Sequence, residues 1–166
     1  MEIFFIVIIA YLVFVYVILR IIIPNSGFKK SSLPKVIPQE FAMKIHEINT
    51  NSKDYFDYLQ EAFNYITTTF YGKRLETIFL FRYAFEDVYK YKPGYLPCTS
   101  LNYLVRIFLI KSGRFIEEDI KVKTVPLNFF IHQYLQVKVD GKWIDVDPWS
   151  AHLEIPLGKH SFLFAI

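Results

Sequence analysis

FFIHQYLQVKVDGKWIDVDPW, Phe129 to Trp149, is an apolar alternation interrupted by a histidine, an Asp-Gly pair and two aspartates one residue apart. Asp140-Gly141 between two alternating runs is the strongest short-range hairpin signal. A two-residue type I′ loop needs positive φ at both central positions, and its twist matches that of the strands it joins. The loop also sets the register, so that Val139 faces Lys142, Val137 faces Ile144 and Leu135 faces Val146. One face of the hairpin is then wholly apolar and is predicted to cover a core. The polar residues collect on the other face, with Gln136 opposite Asp145, Tyr134 opposite Asp147, and His132 diagonal to Asp147. Diagonal neighbours are about 7 to 8 Å apart at the backbone, within reach of a carboxylate-to-imidazole hydrogen bond. Asp145 lies two residues farther along, so the spacing selects Asp147 as the group that fixes the His132 tautomer. Asp145 is assigned to structure or substrate contact beside Gln136.

An oriented imidazole needs a group to deprotonate. The chain has one cysteine, Cys98, which excludes an internal disulfide and a thiolate zinc cluster. LPCTSLNYLVRIFLIKSG (Leu96–Gly113) places Leu101, Leu104, Val105 and Phe108 on one helical face, with Lys111 in the last turn and Gly113 as stop. Cys98 therefore opens a helix, where the dipole favours a thiolate. A lone cysteine is more often core filling than nucleophile. Its combination with His132 and Asp147 tips the reading to nucleophile, base and orienter, the logic of acyl transfer through a thioester.

Upstream of this unit, Phe56, Leu59, Phe63 and Ile66 recur at helical spacing, predicting a helix from Ser52 to Tyr71 with Asn51 or Ser52 as N-cap and Gly72 as terminator. A second, strongly aromatic helix is predicted from Arg74 to about Tyr89. DIKVKTV (Asp119–Val125) alternates as a strand, and SFLFAI (Ser161–Ile166) could add an edge strand. Helices first and antiparallel strands second predict an α+β domain. His46, His152 and His160 show no ligand spacing and read as surface residues; no metal site or cofactor motif emerges.

Ile3 to Ile23 is an apolar run broken only by Arg20, roughly 30 Å long at about 1.5 Å per residue, which matches a bilayer core. A cleavable signal would have a basic start and a shorter apolar stretch. The expected organisation is a transmembrane anchor at 1–23, a linker at 24–40 that lifts the domain off the membrane, and a domain at 41–166. Arg20, Lys29, Lys30 and Lys35 lie at or beyond the C-terminal end of the run, which predicts a single-pass protein with a cytoplasmic domain. The formal net charge of +3 in 166 residues is no nucleic-acid footprint. Lys29-Lys30 fits contact with anionic lipid or a solvated linker.

These residues resemble the transglutaminase-like cysteine hydrolase superfamily. Its core has a cysteine at a helix start, then His-x-aromatic-hydrophobic-x-hydrophobic, then Trp-hydrophobic-x-hydrophobic-Asp-Pro. This chain reads Cys98, HQYLQV from His132 and WIDVDP from Trp143 to Pro148, a similarity covering roughly 94–149. The resemblance implies a catalytic triad of Cys98, His132 and Asp147, a papain-like transglutaminase core, no required metal or cofactor, and a peptide or protein substrate. It leaves hydrolysis and acyl transfer both open. Leu96 stands where the family often has Gly, Trp149 where Thr is common, and Pro97 offers no amide hydrogen. The oxyanion hole is expected to use the Cys98 amide and a second donor, with Tyr95 a candidate. The alternative from a different class is an inactive, membrane-tethered binding module with the same fold.

Overall fold

The computed structural model describes residues 2–23, 25–27, 29–73, 93–128 and 130–163. An apolar helix α1 (Glu2–Val13) runs through a π-helical turn (Phe14–Ile18) into α2 (Leu19–Ile22). Helices α3 (Gln39–Asn51) and α4 (Tyr55–Thr69) follow, then strand β1 (Phe70–Tyr71), which pairs in parallel with β2 (Gly94–Tyr95). Helix α5 (Cys98–Lys111) leads to β3 (Ile120–Leu127), β4 (Phe130–Val139) and β5 (Lys142–Val146), an antiparallel sheet in the order β3-β4-β5. A 3₁₀ segment (Pro148–Leu153) closes the regular structure. The result is a mixed helix and sheet fold behind an N-terminal apolar helix.

The hairpin forms in the expected register. Val139 pairs with Lys142, Val137 with Ile144 and Leu135 with Val146, and both turn residues have positive φ, 49° at Asp140 and 80° at Gly141. Leu135, Val137, Val139 and Val146 point into the core with Ile120 of β3. The opposite, polar face is not solvated throughout, because residues 154–163 fold back over it.

Helix α5 is the centre of the core. An amphipathic helix was expected, yet burial extends beyond the apolar stripe to Thr99, Ser100, Asn102 and Arg106. Helices α3 and α4, the sheet and the segment after the apolar helix share its surface, so its polar side chains serve as ties. The Tyr58 hydroxyl of α4 donates to the Phe108 carbonyl at 2.9 Å. Burial pushes that phenol up to about 12.

Several elements differ from expectation. Helix α3, with Phe41, Ile45 and Ile48 inward, forms ahead of the first helix predicted from the sequence. Ser52 ends it by donating to the Ile48 carbonyl, and the cap of α4 is Asp54, whose carboxylate accepts from the Asp57 amide at 2.8 Å. Helix α4 also stops at Thr69, where β1 begins. The helix predicted over 74–89 lies outside the described residues, and residues 161–163 make one bridge, Leu163 to Leu127, rather than a strand.

The stretch expected to lift the domain off the membrane is instead fastened to it. Carbonyls of Ser31, Ser32 and Lys35 accept from Arg106, Tyr103 and Lys111 of α5, at 2.9, 2.9 and 3.0 Å. Lys30 bonds the Glu117 and Ile120 carbonyls and pairs with the Glu117 carboxylate at 3.0 Å. Before this strap, Ile3–Ile22 is one helix long and apolar enough to cross a membrane, with almost none of it buried against the rest of the chain.

Candidate functional site

Three segments distant in sequence place the predicted residues together. Cys98 is the first residue of α5; Pro97 before it has the extended backbone of an N-cap. The first amides of a helix have no partner inside it, so the Cys98 N–H belongs to a set of donors that a bound oxyanion could use. His132 lies near the start of β4 and is 2 % exposed; Asp147, directly after β5, is 1 % exposed. The His132 Nε2–H donates to Asp147 Oδ2 at 2.7 Å. Cys98 lies beside the same ring, close enough to act on its charge. With Nε2 committed to the carboxylate, Nδ1 is the nitrogen left for the sulfur.

The electrostatics follow from this geometry. Burial works against a charged His132, but the bonds and charges of Asp147 and Cys98 outweigh it and raise the imidazole to about 10. Burial also works against a charged Asp147. There the His132 bond and charge, the Ser150 hydroxyl and the Ser161 amide prevail and hold the carboxyl below its ordinary value. The resting pair at neutral pH is imidazolium and carboxylate.

The shell around the triad contains residues that hairpin reasoning passed over. Asp147 Oδ2 accepts from Ser150 Oγ at 2.7 Å and from the Ser161 amide at 3.0 Å, and Oδ1 accepts from the Ser150 amide at 3.2 Å. Both carboxylate oxygens are thereby fixed. Asn102, one turn after Cys98, donates through Nδ2 to the Gln133 carbonyl at 2.7 Å. This bond ties the cysteine helix to the histidine strand next to His132 itself. Trp149 lies 5.1 Å from the His132 ring, and Gly72 packs so close that a Cβ there would overlap the Trp149 carbonyl oxygen and indole. Tyr95 is buried, and its position on β2 precedes Cys98 by only three residues.

Asp145 accepts from Gln136 at 2.8 Å, as its register position implies. Its second oxygen accepts from His160 Nδ1 at 2.7 Å, and the His160 ring stacks on Tyr134 at 4.0 Å and 4°. His160 is therefore a half-buried structural residue rather than the surface residue expected. His46 and His152 are exposed. Among the described residues no group of three or more His, Cys, Asp or Glu is arranged to hold a metal ion. Trp143 is exposed on the hairpin, with Lys121 Nζ 3.7 Å above its ring.

Compared with family models, with curated proteins and with solved structures, the chain matches none.

Proposed function

We propose that this chain is a membrane-anchored cysteine hydrolase or acyltransferase of transglutaminase-like type, acting on an amide or peptide bond through a Cys98 thioester. The observation that carries the reading is the buried bond of His132 to Asp147, with Cys98 at the start of α5 beside the same ring. Cys98 Sγ attacks the carbonyl carbon, and the carbonyl electron pair moves to oxygen, where the Cys98 amide and the start of α5 favour the negative charge. On collapse the C–N bond breaks, and the leaving amine takes a proton from His132. Water, or an acceptor amine or hydroxyl, then attacks the thioester and gives its proton to His132, releasing the acyl group and restoring the thiolate. Asp147 holds the ring and compensates its charge throughout. The apolar helix tethers the domain, and the basic residues beyond it favour the cytoplasmic side.

The test is alkylation of the single cysteine in the full chain between pH 5 and 9, in wild type, His132→Ala and Asp147→Asn. A free thiol reacts only as pH approaches its ordinary pKa of about 8.5. Wild type should react at pH 6 at least tenfold faster than such a thiol, and His132→Ala should lose that advantage. A cysteine that follows free-thiol behaviour in all three proteins would overturn the enzyme reading and leave a tethered binding module.

A further inference from the structure

The end of the sheet nearest the triad carries an apolar tip that the fold leaves uncovered. Leu127, the last residue of β3, faces Phe130 on one side and bridges Leu163 on the other. Phe130, Phe162 and Leu163 are 47 %, 52 % and 44 % exposed. Scattered apolar residues on a surface are ordinary, but side chains gathered across neighbouring segments mark a contact surface.

Two observations bring the apolar helix to the same end of the sheet. The apolar helix ends beside the same strand: Ile23 is buried, the Gln133 side chain donates to the Asn25 carbonyl at 3.2 Å, and the π-helical turn with its buried Val15 packs on β4. The strap after Asn25 is fastened to α5 and to the approach to β3, so no slack separates the helix end from the sheet. A membrane that holds the helix is therefore brought to the start of β4.

We propose that Phe130, Phe162 and Leu163 lie in the interface of the same bilayer that the apolar helix enters, so that the domain docks edge-on rather than hanging from a tether. Phe130 and His132 are two residues apart on one face of β4, about 7 Å along the strand. The triad then works within roughly 10 Å of the membrane surface, a distance set by that strand spacing. Its substrate class narrows to peptide segments at the membrane, such as the juxtamembrane part of an anchored chain. Exposed Lys29 on the strap suits anionic headgroups. The substrate claim rests on the hydrolase reading; the docking does not.

The experiment uses the full chain in phosphatidylcholine and phosphatidylglycerol vesicles with brominated acyl chains, which quench tryptophan within the bilayer. Added quenching beyond that of the native tryptophans is compared for Phe5→Trp on the exposed part of the helix, Phe130→Trp at the tip and Met43→Trp on exposed α3. Docking requires quenching of the first two and not the third. Quenching of Phe5→Trp alone would overturn the docking and leave a simple anchor. No quenching at Phe5 would remove the membrane reading and the docking with it, and quenching of all three would mean unspecific adsorption, which also overturns the proposal. In parallel, Cys98 is labelled by a phospholipid bearing a headgroup maleimide and by a soluble maleimide. The ratio of the two rates should fall at least fivefold in Phe130→Asp/Phe162→Asp, whereas an unchanged ratio would refute placement of the triad at the surface. Because it is a ratio at one thiol, it stays readable even if Cys98 proves an ordinary thiol and the hydrolase reading fails.

Discussion

Replacing Asp147 with Asn removes a charge from the site while keeping its shape and one acceptor. In the native chain burial disfavours the imidazolium, and Asp147 with Cys98 reverses this to bring His132 to about 10. Without the carboxylate the burial penalty is largely unopposed, and the ring should be neutral at pH 7. The folded value lies above the unfolded value of about 6.5. The stabilisation is therefore complete below about pH 6.5 and is lost as pH rises through about 10. At about 1.36 kcal/mol per unit, the protonation linkage at pH 7 is on the order of 4 kcal/mol. The cost of breaking a buried pair, roughly 3 to 5 kcal/mol, is of the same size.

The assay is denaturant unfolding of the full chain in detergent micelles at pH 7 and pH 10, wild type against Asp147→Asn. Other groups titrate in that interval in both proteins, so the quantity that matters is the difference of differences. Wild type should lose roughly 3 kcal/mol more than the variant on going to pH 10. An imidazole NMR titration, with His132 assigned by loss of its signal in His132→Ala, should show the ring protonated past pH 9 in wild type and neutral at pH 7 in Asp147→Asn. Equal alkaline losses in the two proteins, or a His132 that titrates near 6.5 in both, would refute the electrostatic account of the site.

Asn102→Ala removes the tie between α5 and β4 and strands the buried Gln133 carbonyl. It should cost about 1 to 3 kcal/mol in denaturation and slow Cys98 alkylation at pH 6, while leaving the His132 titration in place. Gly72→Ala forces a Cβ into Trp149, and the carbonyl oxygen it meets cannot rotate away. A loss of about 1 to 3 kcal/mol is expected, read from the denaturation midpoint, and an unchanged midpoint would show that the contact is looser than described. Leu104→Ala, at a position with no exposure in the middle of α5, should cost about 2 to 5 kcal/mol and lower the thermal midpoint.

The hairpin was legible because everything that specifies it is local. Asp-Gly fixes the loop, the loop fixes the register, and a period of two sorts the faces. Cys98 at a helix start was legible for the same reason, from Pro97 before it and Gly113 beyond the last turn. Helix α3 was passed over although Phe41, Ile45 and Ile48 are well spaced, because Pro38 offers no capping side chain and the preceding stretch looks like linker. The cap of α4 was misplaced by two or three residues because Asn51 and Ser52 have the right chemistry but close the preceding helix. The grip of Ser161 on Asp147 had no local signal at all, since its donor is a backbone amide fourteen residues away. Arg106 likewise falls among apolar neighbours on α5 and becomes intelligible only through Ser31 and Glu117, at 2.9 and 3.0 Å.

The buried polar residues of the site bear on why they are there. A buried ion pair is weak evidence for stability, because apolar residues of similar volume often serve as well or better once desolvation is counted. His132 and Asp147 are held with Ser150 and Ser161 in a network that satisfies both carboxylate oxygens, a demanding arrangement in a domain of this size. Stability alone does not require it, and neither does register, which Asp140-Gly141 already specifies. What the network does accomplish is to hold one imidazole in its charged form beside the single sulfur of the chain. An inert core cysteine would gain nothing from a permanent positive charge beside it, whereas a nucleophilic one depends on it. That asymmetry, rather than the count of matching residues, is the physical argument for chemistry at Cys98.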